Sequence, residues 1–319
     1  MYFSVKIVGM KWLVLFFLFA VSTHSAYAQN CPENAKEVRP EFSGDVGFEY
    51  SKNLEIAGRK YVIEPNADNL IWYARRKGYL GYYKDAIEAL TIGMEKFPND
   101  PRLYRHRGHR YLTLRCFDDA VKDFEKAAEL IKGKPDEVEP DGLPNAKNIP
   151  TSTLQSNIWY HLGLAYYLRG DYKNALKAYE KCQKVSANND MKVATTYWHY
   201  MTLRRADKRK QADKLLKTFD TKIEVIENSD YLRLLKLNKG EMRPEDLLTT
   251  IRGDADTLGS ASLGYGIGNY LLYNGDRDKA MLIFKKITEG NQWSSFGYIA
   301  AETELQVDNP LRLVELEKL

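Results

Sequence analysis

Small and apolar positions return along this chain at a long fixed interval, with polar stretches between them. Four short segments align: "GYYKDA" (Gly81 to Ala86), "RCFDDA" (Arg115 to Ala120), "GDYKNA" (Gly170 to Ala175) and "GDRDKA" (Gly275 to Ala280). Each predicts a turn after one helix, then a second helix whose alanine packs against a neighbour. Ala86 and Ala120 lie 34 residues apart; Ala120 and Ala175 lie 55 apart, one period plus a 21-residue insertion. Ala175 to Ala212 is 37 residues, and Ala212 to Ala280 is 68, two periods, so a degenerate unit centres on Asp246. Helix pairs at such a period stack into a solenoid, because one pair alone cannot bury its apolar face.

The clearest copy is "WYHLGLAYYLRGDYKNALKAYEKC". Its Trp159, Leu162, Gly163, Tyr166, Ala175 and Tyr179 fit the pattern W-x2-L-G-x2-Y…A-x3-F, with Tyr for Phe, and so resemble the tetratricopeptide repeat (TPR). Gly163 and Ala175 lack bulk and let two helices approach, while Trp159, Leu162 and Tyr166 fill the space around them. Pro98 ends the second helix of the first copy, as in the family pattern. Two units depart from it: Tyr200 and Leu234 stand where the glycine should be, and Asp246 replaces the alanine. "WSSFGYIAAETEL" (Trp293 to Leu305) reads as a final first helix that caps the array. Much of the chain also resembles exported bacterial proteins of this repeat class, which supplies a fold and no activity. The fold class expected is all-α: a TPR-like α-solenoid, a right-handed superhelix of antiparallel helix pairs.

The domains expected are a signal peptide at 1–28, an irregular lead-in at 29–66, and a TPR-like array at 67–319. That array holds about six helix pairs and a C-terminal capping helix. The lead-in carries Pro32, Pro40 and Pro65 and little helical period. An acidic, proline-rich insertion at 133–153 bears Asp136, Glu137, Glu139 and Asp141; its four prolines forbid a long helix. Loops of this length inside compact arrays are often functional.

The first 28 residues read as an export signal: Lys6 and Lys11, the apolar run "WLVLFFLFAVS", then Ala26-Tyr27-Ala28 as the cleavage site. The run is shorter than the roughly 20 apolar residues of a membrane span. A lipid anchor on Cys31 is the rival, but Asn30 is not the small residue that signal wants. A periplasmic or secreted protein with no membrane span after cleavage is expected. Removing two lysines and no acid lowers the formal charge from +4 to about +2, so nothing drives the chain toward nucleic acid. Three cysteines, Cys31, Cys116 and Cys182, allow at most one internal bridge, with Cys31–Cys116 as one possibility.

The tempting chemical motifs dissolve in the repeat frame. "YRHRGHRY" (Tyr104 to Tyr111) is the first helix of the second unit, with Gly108 in the packing position. His106 and His109 are spaced for a metal, but a zinc site needs three or four ligands and none lies nearby in sequence. "GYGIGN" (Gly264 to Asn269) opens a helix instead of following a strand, so it is no dinucleotide loop. "GDADTLGSASLGY" (Gly253 to Tyr265) has Leu258 and Tyr265 where a calcium loop needs ligands. There is no Gly-x-Ser-x-Gly and no HExxH, and no carboxylate pair stands out for glycoside hydrolysis. No metal, cofactor or catalytic residue is assigned, and no enzyme activity is expected.

The resemblance places binding on the concave face, at positions 2, 5, 9 and 12 of each first helix. Position 5 reads Ile71, Arg105, Tyr160, Tyr197, Tyr231 and Tyr265, a ladder of four tyrosines. Arg102, His109, Asn157, Met201, Arg204 and Asn269 surround it. Tyrosine offers flat apolar area and a polar tip at low entropic cost, which suits a protein or peptide, or a glycan. The competing reading is that these tyrosines fill gaps between helices. Ile71 and Arg75 replace the Lys and Asn of the chaperone-binding carboxylate clamp, which sets that partner class aside. The acids of the insertion are expected to fold over Arg102, Arg105 and His109. The expected function is a non-catalytic protein- or peptide-binding scaffold, with a glycan- or polyanion-binding accessory as alternative and a helical-toroid hydrolase behind it.

Overall fold

The computed structural model describes residues 31–251 and 258–307, without the side chains of 248–251, 258–260 and 307. The signal segment, the first five residues of the rejected calcium motif and the last 12 residues fall outside this range. The described residues form fourteen helices and no strand. After α1 (Val46–Ile63) come α2 (Ala67–Tyr79), α3 (Tyr83–Lys96), α4 (Pro101–Thr113) and α5 (Phe117–Leu130). Beyond the insertion follow α6 (Leu154–Leu168), α7 (Tyr172–Val185), α8 (Asn189–Arg205) and α9 (Arg209–Thr218). The last are α10 (Ser229–Asn238), α11 (Pro244–Ile251), α12 (Leu258–Tyr273), α13 (Arg277–Thr288) and α14 (Phe296–Val307). Neighbours in sequence pack as pairs, α2 with α3, α4 with α5, α6 with α7, α8 with α9 and α12 with α13, so the chain is a helical solenoid.

Local chemistry starts these helices where the repeat requires. Asn66, Asp171, Asn188 and Asp276 each accept a hydrogen bond from the backbone N–H three residues on. Asp100 caps α4 ahead of Pro101, and Thr153 and Ser156 cap α6 reciprocally. The anchor alanines 86, 120, 175, 212 and 280 are all fully buried. A Cβ on Gly163 would stand 2.6 Å from the Tyr179 ring, and one on Gly268 2.3 Å from the Phe284 ring. These two pairs therefore close by an aromatic of the second helix pressed on the bare backbone of the first.

Five residues before each anchor alanine the chain turns with positive φ. Glycine does this at Gly81, Gly170 and Gly275 (82, 83 and 89°), but Arg115 does it at 64° and Asp207 at 54°. The fifth unit is the weakest. Its α10 leans on α8 and α12, its α11 on α12, and Asp246 pairs with Arg243 in solvent instead of packing. Leu234, in place of a glycine, is fully buried against the bare backbone of Gly266.

Two features differ from expectation. Residues 46–63 of the lead-in are an 18-residue helix; it packs chiefly on α2 and buries only Ala57, so its sequence carries little of the apolar stripe that marks a core helix. The array also closes on itself. α14 packs against α6, α12 and α13, with Phe296 against His109 and His161 at 5.4 and 5.5 Å. Arg115 clasps the same end, bonding Glu302 at 2.7 Å and the Trp293 carbonyl at 2.9 Å, its guanidinium 3.9 Å above the Trp293 ring. Tyr83, Leu114, Cys116, Trp293 and Tyr298 make the apolar seam, and a Cys31–Cys116 disulfide ties the chain's start to it.

Candidate functional site

Closure decides which part of the concave face stays open. Of the tyrosine ladder, Tyr197 and Tyr265 are 1% exposed and Tyr160 is buried; Tyr231 alone is half-buried, stacked 5.5 Å from Tyr197. Met201 and Asn269 have no exposed surface, and Arg204 is spent on the Tyr200 hydroxyl and the Tyr273 carbonyl. Burial also holds the hydroxyls of Tyr160, Tyr197 and Tyr265 protonated, pushing their pKa well up. Tyr231 of α10 covers Tyr197, whose hydroxyl lies against the Gly266 backbone of α12, while Tyr265 packs on Trp198 and Phe284. As an open binding surface, the set Tyr160, Tyr197, Met201, Tyr265 and Asn269 is corrected to core.

At the other end of the array the first-helix face remains accessible. In α2 the stretch "WYARRKGY" places Trp72, Arg75, Arg76 and Tyr79 three and four apart, on one face. The guanidiniums of Arg75 and Arg76 lie 4.3 and 5.1 Å from the Trp72 ring, and Arg76 lies 5.6 Å from that of Tyr79. With Asn53, Ile56 and Lys60 of α1 and Asn69 of α2, Trp72 and Arg76 line a groove of about 240 Å³. Ile56 is exposed at its lip, and Phe48, Val62 and Ile63 of α1 are exposed too.

Deeper, between α2 and α4, Arg75, Tyr79, Arg105, His106, His109 and Arg110 surround a cavity of about 100 Å³. Arg105 gives a guanidinium N–H to the His106 Nδ1 (3.2 Å), and Arg110 gives one to the His109 Nδ1 (2.9 Å). A guanidinium only donates, so each ring accepts at Nδ1 and carries its proton on Nε2. Burial first, then the neighbouring guanidiniums, pushes both imidazoles well below their usual pKa, and His161 to about 3. These histidines are neutral and are not grouped with acids or cysteines as a metal site. Among the described residues only Cys31, Cys116 and Asp119 cluster that way, and that cysteine pair is a disulfide.

The insertion lies against side chains that line this cavity. Glu139, the one insertion acid that reaches the expected arginine, is buried; its Oε1 lies 3.0 Å from Arg105 Nη2 and its Oε2 accepts from Asn157 Nδ2 at 3.1 Å. The Gly142 carbonyl accepts from Arg76, and a Cβ there would collide with the Tyr79 hydroxyl, so only glycine fits this approach. The other acids serve elsewhere: Asp136 accepts from the Gln155 N–H, while Arg102 is paired with Asp100 and Asp68. Arg105 and His109 therefore both line the cavity, and Asn157 is joined to Arg105 through Glu139. Trp72, Arg76, Tyr79 and Arg110 were missed, although the aromatic–Arg–Arg–aromatic spacing in α2 was there to be read.

The sequence model described as "Tetratricopeptide repeat" matches residues 156–189, the pair α6–α7, so this chain carries a repeat of that family where the sequence pattern was clearest. Human tetratricopeptide repeat protein 13 is 27% identical over 146 residues, covering 44% of this chain. The match spans only 14% of that protein's length. Among solved structures, YrrB, described as a TPR protein with an unusual peptide-binding site, is 14% identical with a TM-score of 0.41, over 79% of this chain and 99% of its own. A TPR protein from Parabacteroides merdae is 15% identical with a TM-score of 0.45, over 82% of this chain and 96% of its own.

Proposed function

We propose that the protein is a non-catalytic scaffold that holds an acidic segment of a partner protein in the groove between α1 and α2. The repeat fold supports a protein-interaction role. One observation carries the choice of surface: Trp72 lies under the guanidiniums of Arg75 and Arg76 in a groove that closure leaves open. A half-exposed aromatic between cations offers apolar area and charge in one place, the composition of an interaction hot spot. The tyrosine ladder no longer serves. Export is proposed with it, since the Cys31–Cys116 disulfide suits an oxidising compartment. The test is cross-linking co-purification from native cells with a Trp72→Ala, Arg76→Glu double variant. Loss of a specific captured protein supports the groove; equal capture by both proteins rejects it.

A further inference from the structure

The cavity beside the insertion carries more positive charge than its own acids match. Arg75, Arg105 and Arg110 all line it. Glu139 is the one carboxylate that forms an ion pair there, and it pairs with Arg105. Arg75 has the Tyr79 hydroxyl at 3.4 Å, and Arg110 has a neutral imidazole and, at 5.7 Å, the Tyr83 ring. Neither makes an ion pair among the described residues; Asp141 acts on Arg75 only at longer range. Arg105 is 7% exposed, and its buried Nε has no hydrogen-bond partner. An orphaned donor on a buried guanidinium is costly unless something completes it.

We propose that this cavity is a binding site for a phosphoryl dianion, either free phosphate or the phosphate of a small monoester. Two unmatched guanidiniums balance the charge of such a group at neutral pH, and arginine forks suit its oxygens. The Nε2–H tautomers of His106 and His109 add neutral donors that need no protonation. Glu139 is the built-in occupant: its carboxylate sits on the innermost arginine until a stronger anion takes that position. The insertion is then a lid hinged past Gly142, whose carbonyl stays on Arg76. The site adjoins the proposed groove through Arg75, which lines the cavity and stacks on Trp72, while Trp72 and Arg76 do not line the cavity.

Isothermal titration of the purified protein with inorganic phosphate, and separately with glycerol phosphate, tests this without any partner. Binding of one or both is expected, weakened about tenfold or more in Arg110→Gln and strengthened about tenfold in Glu139→Gln. Phosphate alone binding marks a free-anion site; the monoester alone marks a small-molecule site. Circular dichroism checks that both variants are folded, and Leu282→Ala, exposed on α13, is expected to leave the affinity unchanged. No heat from either anion at millimolar concentration, in wild type and in Glu139→Gln, overturns the proposal. So does binding that Arg110→Gln leaves intact, or that acetate competes equally.

Discussion

The hydroxyls of Tyr167 and Tyr265 lie 2.8 Å apart, although 98 residues separate them in the chain. This bond joins the third first-helix to the sixth across what an open solenoid would leave as a groove. Tyr265 also donates to Glu304 (3.1 Å), whose other oxygen lies 3.0 Å from Arg205. Closure is thus built from a buried polar network as well as from apolar contact.

That network makes unequal demands on its members. Glu304→Ala leaves Arg205 buried without its carboxylate and should cost about 3–5 kcal/mol. Tyr265→Phe removes hydroxyl bonds between neutral or singly charged partners and should cost about 1–2 kcal/mol. Urea unfolding of the two variants checks the order; equal costs would show that Arg205 finds another partner.

The Cys31–Cys116 disulfide closes a loop of 85 residues and holds the chain's start to the seam. Its removal by a Cys31→Ser, Cys116→Ser pair should cost about 2–4 kcal/mol. Cys182 is buried and its thiol is pushed up to about 11, so it should stay unreactive toward thiol reagents until the protein unfolds. Timed thiol labelling with and without denaturant measures this.

Acid should loosen the array early. His106, His109 and His161 are neutral in the fold and have folded pKa values below the unfolded 6.5. The unfolded chain therefore binds more protons below that pH, and stability falls as pH drops from about 6.5 toward 3. Each imidazole that stays neutral contributes about 1.4 kcal/mol of loss per pH unit. Denaturation midpoints at pH 7, 6 and 5 should decline, and His161→Phe, beside Phe124 and Phe296, should flatten the decline.

Arg110 sits in a cationic neighbourhood, and burial pulls its pKa down to about 10. Replacing it with methionine removes an unpaired charge while keeping much of the packing. A gain of about 1–2 kcal/mol in stability is expected, together with loss of anion binding. Thermal melts in chloride buffer measure the first effect.

Much of the fold was legible because the repeat encodes local packing. Gly163 and Tyr179 meet within one helix pair, so spacing alone places them. The tyrosine ladder was legible as register but not as surface. Whether Tyr197 faces solvent depends on how far the superhelix curves, which is set by contacts such as Arg115–Glu302 across 187 residues. α1 was missed because a helix that buries one alanine shows almost no periodicity. Glu139 stood out as an acid in the insertion, yet only the fold selects it over Asp136, Glu137 and Asp141.

A photo-cross-linking residue placed at Ile56, on the lip of the α1–α2 groove, or at Leu282, exposed on α13, tests the central claim most directly. Adducts with one partner protein at position 56 and none at 282 are predicted. An adduct formed at 282 and not at 56 would contradict the account and move the binding surface to the outside of the array.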